Sequence, residues 1–361
     1  MRNIMNEEFL RLIQVAFGCQ QQLRRQLSPE EWQALYAQAQ KQALLGVCMY
    51  GISKLPQEQK PKDSLYWKWL AAATQIQQQN KKVDDMLKEL AHLLNDHHVK
   101  YIVVKGQVAS RYYPDSNFRQ AGDIDFLVER KDFGRAKQLI KTEWGVVYKE
   151  TAANHHIEFE YKGVLFEQHH TLIKLYDKHN DSYWDGLVEQ SYAIQNIDGV
   201  AVSTLSPTLH SLYIFLHLYH HLLELGVGLR QFCDWAAILH TCVYDIDHAA
   251  IRQHLRVLNM ERAYRAFGGI LIEYLGLPAE EFTYKLTAKD YRYTKRILDV
   301  VKYRGNMGKH NLKGGYHGVW HNLEATGIKV VHFMKFMPLA PAFSCKWLLH
   351  EMTRKIKMKL Q

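Results

Sequence analysis

Apolar residues recur at a helical period over about the first hundred positions. They give way to short β-branched and alternating runs between about 100 and 170, and the helical period returns from about 206. Ser28-Pro29-Glu30-Glu31 predicts a helix start: Ser28 caps it, Pro29 takes the first helical position and Glu31 closes a capping box. Trp32, Leu35 and Ala39 form its apolar stripe and Gly46 its expected end. A long helix should follow from about Ser64 to Asn95-Asp96, with Gln75 to Gln79 as solvated surface.

The middle of the chain reads differently. Tyr101-Ile102-Val103-Val104 predicts a strand, Gln107 to Tyr113 a short helix stopped by Pro114, and Asp123 to Glu129 a second strand. A helix from about Lys131 to Lys141 comes next. Ile157 to Tyr161 and Val164 to His170 then alternate around Lys162-Gly163, the pattern of a tight hairpin. Beyond Ser206-Pro207 only helices are expected. Gly226 and Gly228 separate one from another beginning near Leu229, and Gly276 with Pro278 marks a further break. Residues 305–318 are glycine-rich and basic, as in a loop. The final helix, from about Phe343, presents Leu348, Leu349 and Met352 on one side and ends in Lys355, Lys357 and Lys359. That pattern fits packing against the helical region, with an anionic membrane surface as the alternative. The expected fold class is α+β: a helical region over 1–97, a mixed-sheet core over 98–204 and a helical domain over 205–361.

At 361 residues, 47% hydrophobic and 23% charged, the composition is that of a folded soluble protein. The start, Arg2 to Phe17, is amphipathic and acidic without a small-residue cleavage site, so no signal peptide is expected. The most apolar stretch, Leu209 to Leu229, is broken by His217, His220, His221 and Glu224, which argues against a transmembrane segment. Cys19, Cys48, Cys233, Cys242 and Cys345 are scattered and odd in number, as suits buried thiols in a reduced cytoplasm. A net charge of +9 fits either a basic surface or an electrostatic footprint for nucleic acid, nucleotide or anionic membrane.

The chemistry concentrates between Lys105 and Glu129. Alternate residues of a strand share a face, so Asp123 and Asp125 should point the same way and repel each other unless a cation lies between them. Lys105-Gly106 follows a strand and opens a helix. There the glycine admits a ligand close to the backbone, the first amides face a phosphate, and Lys105 adds a charge. Glu167, in an apolar strand, is the candidate third acid, with Glu158 and Glu160 competing for that role or forming a solvated outer face. A divalent metal held by Asp123, Asp125 and Glu167 beside a phosphate-binding turn points to phosphoryl or nucleotidyl transfer. Arg119 is either a phosphate clamp or a loop charge. His217 and His221 have the spacing of a zinc pair but lack the Glu that accompanies it, so a core or acceptor-pocket role is preferred. Of the paired histidines 155–156 and 169–170, only His169 is expected near the site.

Four ordered stretches carry a resemblance: Val104-Lys105-Gly106 with Tyr113-Pro114, Arg119 with Asp123-Ile124-Asp125-Phe126-Leu127-Val128, Phe166-Glu167-Gln168-His169, and His217…His221 with Leu229-Arg230-Gln231…Asp234. Over about residues 95–245 this set resembles an uncharacterised bacterial nucleotidyltransferase family of the DNA polymerase beta superfamily. The resemblance implies a five-stranded mixed sheet, Mg²⁺ (or Mn²⁺), and transfer of a nucleoside monophosphate from a nucleoside triphosphate to a hydroxyl acceptor. It also implies that Arg230 and Asp234 lie over the nucleotide or acceptor; the residues alone read as an ordinary i,i+4 helical pair. Gln107 stands where the wider superfamily has Gly or Ser, so its backbone amide can still donate while a hydroxyl contact is lost. A catalytically silent nucleotide sensor or scaffold, and an enzyme directed at transfer RNA or other RNA, are the alternatives. The acceptor is open, with a sugar-related molecule favoured by resemblance alone.

Overall fold

Seven strands form one mixed sheet in the computed structural model, which describes residues 7–150, 156–224, 227–304 and 331–360. The strands are β1 (Tyr101–Val104), β2 (Ile124–Val128), β3 (Lys149–Glu150), β4 (His156–Tyr161), β5 (Val164–His169), β6 (Tyr192–Ile197) and β7 (Val200–Leu205). Their spatial order is β3-β4-β5-β2-β1-β7-β6; β1/β7 and β2/β5 are parallel and the remaining pairs antiparallel. The expected α+β architecture is therefore present, with a wider sheet than the five strands implied by resemblance. The β6–β7 hairpin was not anticipated. Its outer strand is largely exposed, so it lacks strong apolar alternation.

Helices precede, interrupt and follow the sheet. Ahead of it come α1 (Glu7–Ala16), α2 (Pro29–Lys41), α3 (Leu45–Lys54) and α4 (Asp63–Asp96). Within the core lie α5 (Gly106–Ser110), α6 (Phe133–Trp144) and α7 (Lys178–Gln190). After it come α8 (Pro207–Glu224), α9 (Leu229–Thr241), α10 (His248–Leu258), α11 (Glu261–Leu275), α12 (Ala288–Arg304) and α13 (Pro341–Leu360). The capping box of α2 forms as its residues dictate: the Glu31 amide donates to Ser28 Oγ, and the Ser28 amide donates to the Glu31 carboxylate.

Gly46 does not end α2; it lies inside α3. The reason is steric. A Cβ there would sit 2.2 Å from the carbonyl oxygen of Phe118, so only glycine lets the loop before β2 cross this helix. The expected loop at 305–318 lies outside the described residues, as do His155, Gly226 and the side chains of Lys355, Lys357 and Lys359.

Strand alternation divides the core. Tyr101, Val103, Ile124, Phe126 and Phe166 pack with α4 and α6 on one face of the sheet. Ile102 and Val104, on the other face, join a larger cluster that runs from Phe9 in α1 through Tyr213 and Phe232 to Trp347 in α13. The final helix thus buries Phe343 and Trp347 against the rest of the protein, and its Lys346 pairs with Asp177. No helix among the described residues is long and apolar enough to cross a membrane.

Candidate functional site

The polar face of the sheet centre is built by register. Asp125 lies opposite Val104 on one side and beside Glu167 of parallel β5 on the other. Since alternate residues share a face, Asp125, Leu127, Glu167 and His169 all look toward α8. Asp123 stands just before β2, and one oxygen each of Asp123, Asp125 and Glu167 lie within 4.8 Å of one another. The three acids singled out from the sequence therefore converge.

Their charge is partly offset from within the chain. Lys105 Nζ donates to Asp125 Oδ1 at 2.9 Å, and its ammonium sits 5.7 Å from the centre of the Tyr213 ring. His169 Nε2 lies 3.2 Å from both Asp125 Oδ1 and Glu167 Oε2. Burial alone would raise the Asp125 carboxyl, but Lys105 and His169 outweigh it and hold that group below its ordinary value. Glu167 is likewise lowered: burial opposes ionisation, and the hydrogen bond from His169 overcomes it. Asp123 has no such support. The neighbouring Asp125 carboxylate first, and burial second, push it up to about 7. His169 is raised by Asp125 and Glu167 against the opposing effect of its own burial.

A cluster of hard carboxylate oxygens with one member driven toward protonation suits a divalent cation, and the Lys105 ammonium already occupies part of that role. Asp123, Asp125 and Glu167 are the residues that could hold such an ion. The turn beside them is held in an unusual conformation. Lys105 has φ 55° and ψ −141°, and Gly106 has φ 35° with its Cα packed so closely that a Cβ would lie 3.2 Å from the Asp123 carbonyl. The Lys105 amide donates to His210 Nε2 at 3.4 Å, and the Lys105 carbonyl accepts from Ala109 at 2.8 Å. His210 is fully buried, and burial depresses its imidazole to about 4, so it remains neutral and able to accept. Helix α5 is five residues long, so what the turn offers an anion is its first amides, which have no acceptor within the helix, rather than a macrodipole.

Several expected site residues take other positions. Arg119 is neither an open clamp nor a loop charge. It is buried, with Nε and Nη2 on the two oxygens of Asp234 at 2.7 and 2.9 Å, and the Tyr113 hydroxyl donates to the same carboxylate at 2.6 Å. Asp234 consequently pairs across the fold rather than with Arg230 on its own helix. Arg230 donates from Nη1 to the Gln120 carbonyl at 2.7 Å, its Nε has no hydrogen-bond partner among the described residues, and Asp123 is among the charges acting on it. Gln107 turns its side chain away from the turn and donates to Asp84 on α4 at 2.6 Å. His217 and His221 face each other with Nε2 atoms 2.9 Å apart, and no third metal-type ligand joins them among the described residues. Burial first, then Lys105, holds His217 well below its ordinary value, and its ring centre lies 5.9 Å from that of Tyr213 on the same helix, α8.

Two contributors, His156 and Asn80, are not singled out by the sequence. His156 reaches toward Glu167, with Nε2 3.9 Å from Oε2. Of the two acids that compete with Glu167 or form a solvated outer face, Glu158 lies 3.2 Å from His156 Nε2 and Glu160 is exposed. On α4, buried Asn80 donates to the carbonyls of Asn117 and Arg119 at 2.6 and 2.8 Å, fixing the loop that leads into Asp123. The one available signal was alternation. His156 and Glu158 share a face two residues apart, as do Glu167 and His169.

A family model described as an uncharacterised nucleotidyltransferase matches residues 28–276, from the cap of α2 to the end of α11. Among solved structures, the chain is similar to an antigenic nucleotidyltransferase-like protein from Paracoccidioides brasiliensis, with 14% identity, 59% of this chain and 97% of that chain covered, and a TM-score of 0.40. No curated protein matches.

Proposed function

The chain belongs to the family of uncharacterised nucleotidyltransferases, and from that premise we propose that it moves a nucleoside monophosphate from a nucleoside triphosphate to a hydroxyl of an acceptor, with Mg²⁺ or Mn²⁺ as cofactor. The observation that carries this reading is the convergence of Asp123, Asp125 and Glu167 from two parallel strands and the residue before one of them, next to the Lys105-Gly106 turn. In the reaction the acceptor hydroxyl gives up its proton to a carboxylate of the cluster and its oxygen bonds to the α-phosphorus, as the bond to the bridging oxygen breaks and pyrophosphate leaves. A divalent ion bound there would offset charge on the phosphate oxygens.

The chain's own residues supply the rest. Asp123 and Asp125 orient toward one point, and Glu167 completes the acidic set. Lys105, now on Asp125, is within a side-chain swing of a phosphate seated on the Gly106 amides. Arg230, with a free Nε, is the better placed of the two arginines to meet a phosphate, because Asp234 occupies the fork of Arg119. Asp234 holds Arg119, and through it the loop that carries Asp123. The acceptor would lie toward α8, which carries His217, and a sugar-related small molecule is the class we favour.

The test is calorimetric binding of nucleoside triphosphates with Mg²⁺ to wild type and to the Asp123→Asn/Asp125→Asn pair. Metal-dependent binding lost in the variant supports the reading, and equal affinities refute it. Pyrophosphate release on addition of candidate acceptors then separates an enzyme from a nucleotide sensor.

A further inference from the structure

We propose that the β4–β5 hairpin carries a second, imidazole-containing metal site, selective for a divalent transition ion of the Zn²⁺ type, that shares Glu167 with the carboxylate cluster. The hairpin turns at Lys162-Gly163, and its register sets His156 directly across from His169 and Glu158 directly across from Glu167. The two residues on each strand are two apart, so all four side chains stand as a square on one face of the sheet.

The square has the dimensions of a coordination sphere. His169 Nε2 lies 3.2 Å from Glu167 Oε2, His156 Nε2 lies 3.2 Å from Glu158 Oε1, and His156 Nε2 lies 3.9 Å from Glu167 Oε2. Ligand atoms of His156, Glu167 and His169 all fall within 4.8 Å of one another. Zn–N and Zn–O bonds of about 2.0–2.2 Å in tetrahedral geometry put neighbouring ligand atoms roughly 3.4 Å apart, so small rotamer adjustments would close the set. Exposure is graded in the useful direction. The His169 side chain is 4% exposed, His156 11%, Glu167 19% and Glu158 31%, which leaves an entry path on the Glu158 side.

Ligand chemistry separates this site from its neighbour. Asp123, Asp125 and Glu167 present only oxygen, the preference of Mg²⁺, whereas two imidazoles with carboxylate select a late first-row ion. A carboxylate has two oxygens, so Glu167 can face both sites at once. The simpler alternative is that protons alone occupy the imidazoles, and the experiment decides between them. The test does not depend on nucleotidyl transfer, because its readout is Co²⁺ binding and the residue varied, His156, is not used by that reading although Glu167 is shared.

The probe is Co²⁺, added to the full-length protein freed of metal by EDTA and dialysis and followed by its visible absorption, with Zn²⁺ and excess Mg²⁺ then added as competitors in separate titrations. The expected result is saturable Co²⁺ binding that Zn²⁺ displaces and Mg²⁺ does not. His156→Ala should weaken it at least ~30-fold, while Asp123→Asn changes it less than about threefold. Should His156→Ala fail to fold, His156→Gln is read against the same threshold. No Co²⁺ spectrum, displacement by Mg²⁺, or a His156 variant that binds like wild type overturns the proposal. Nucleotide binding with Mg²⁺ is scored separately, so failure at this site leaves the carboxylate reading intact, and failure there leaves this one standing.

Discussion

Replacing Asp123 by Asn should stabilise the metal-free protein while abolishing its response to divalent cations. The Asp123 carboxyl is pushed from its ordinary 3.8 to about 7, by Asp125 first and by burial second. Each pH unit between the unfolded and folded values is worth about 1.4 kcal/mol, which sets a ceiling of about 4 kcal/mol. The side chain is only half-buried, so solvent screening brings the expected gain to about 2 kcal/mol. The direction follows from proton counting. Between 3.8 and about 7 the folded chain keeps a proton that the unfolded chain has released, so wild-type stability falls as pH rises through that window. His169 acts in the same sense: its imidazole is raised above 6.5, so its ion pairing stabilises below that value and is lost as pH climbs through the folded one. Asparagine cannot ionise, and its advantage should be absent near pH 4 and complete by about pH 8. Urea unfolding in EDTA at the two pH values measures it, and Mg²⁺ added at the higher pH should raise wild type alone. A variant no more stable than wild type at the higher pH, or a gain equal at both, refutes the reasoning.

Asp234→Asn leaves the buried Arg119 guanidinium without a counter-charge and should cost about 3–5 kcal/mol in urea unfolding, far more than an exposed pair. Arg230→Gln should weaken nucleoside triphosphate binding in Mg²⁺ by about tenfold without a comparable loss of stability, as expected for a charge-assisted phosphate contact; unchanged calorimetric affinity counts against that role. Gly46→Ala must move the backbone of Phe118 and should destabilise by about 1–3 kcal/mol, read as a lowered Tm.

The centre of the fold was legible because its signals are local. A β-branched run, a Lys-Gly turn and an Asp-x-Asp pair lie within about 25 residues, and strand alternation alone puts the carboxylates on one face. The register that brings Glu167 beside Asp125 is less local: β5 pairs in parallel with β2 past the intervening β3 and β4, so alternation predicts a face for each acid but not their adjacency. The Lys162-Gly163 turn was equally plain, both residues adopting positive φ. Asp198-Gly199 carries the same type of signal, yet β6 and β7 went unread because exposed Tyr192 and Ile194 spoil the apolar rhythm. What no local pattern could give was partnership at a distance. Arg119 and Asp234 are 115 residues apart, and each resembles a surface charge until the fold buries them together. His156 was passed over for a similar reason, since its neighbours across the hairpin, not along the chain, define it.

The clasp between Arg119 and Asp234 has a mechanical consequence. Asp123 ends a short stretch whose start, Arg119, is gripped by Asp234 of α9, and Asn80 of α4 holds the Arg119 carbonyl. Anything that tilts α9, including a molecule settling against it, must drag that stretch along or break two buried charges apart. Occupancy on the helical side would then be felt as a displacement of one carboxylate relative to the other two, which are anchored in strands.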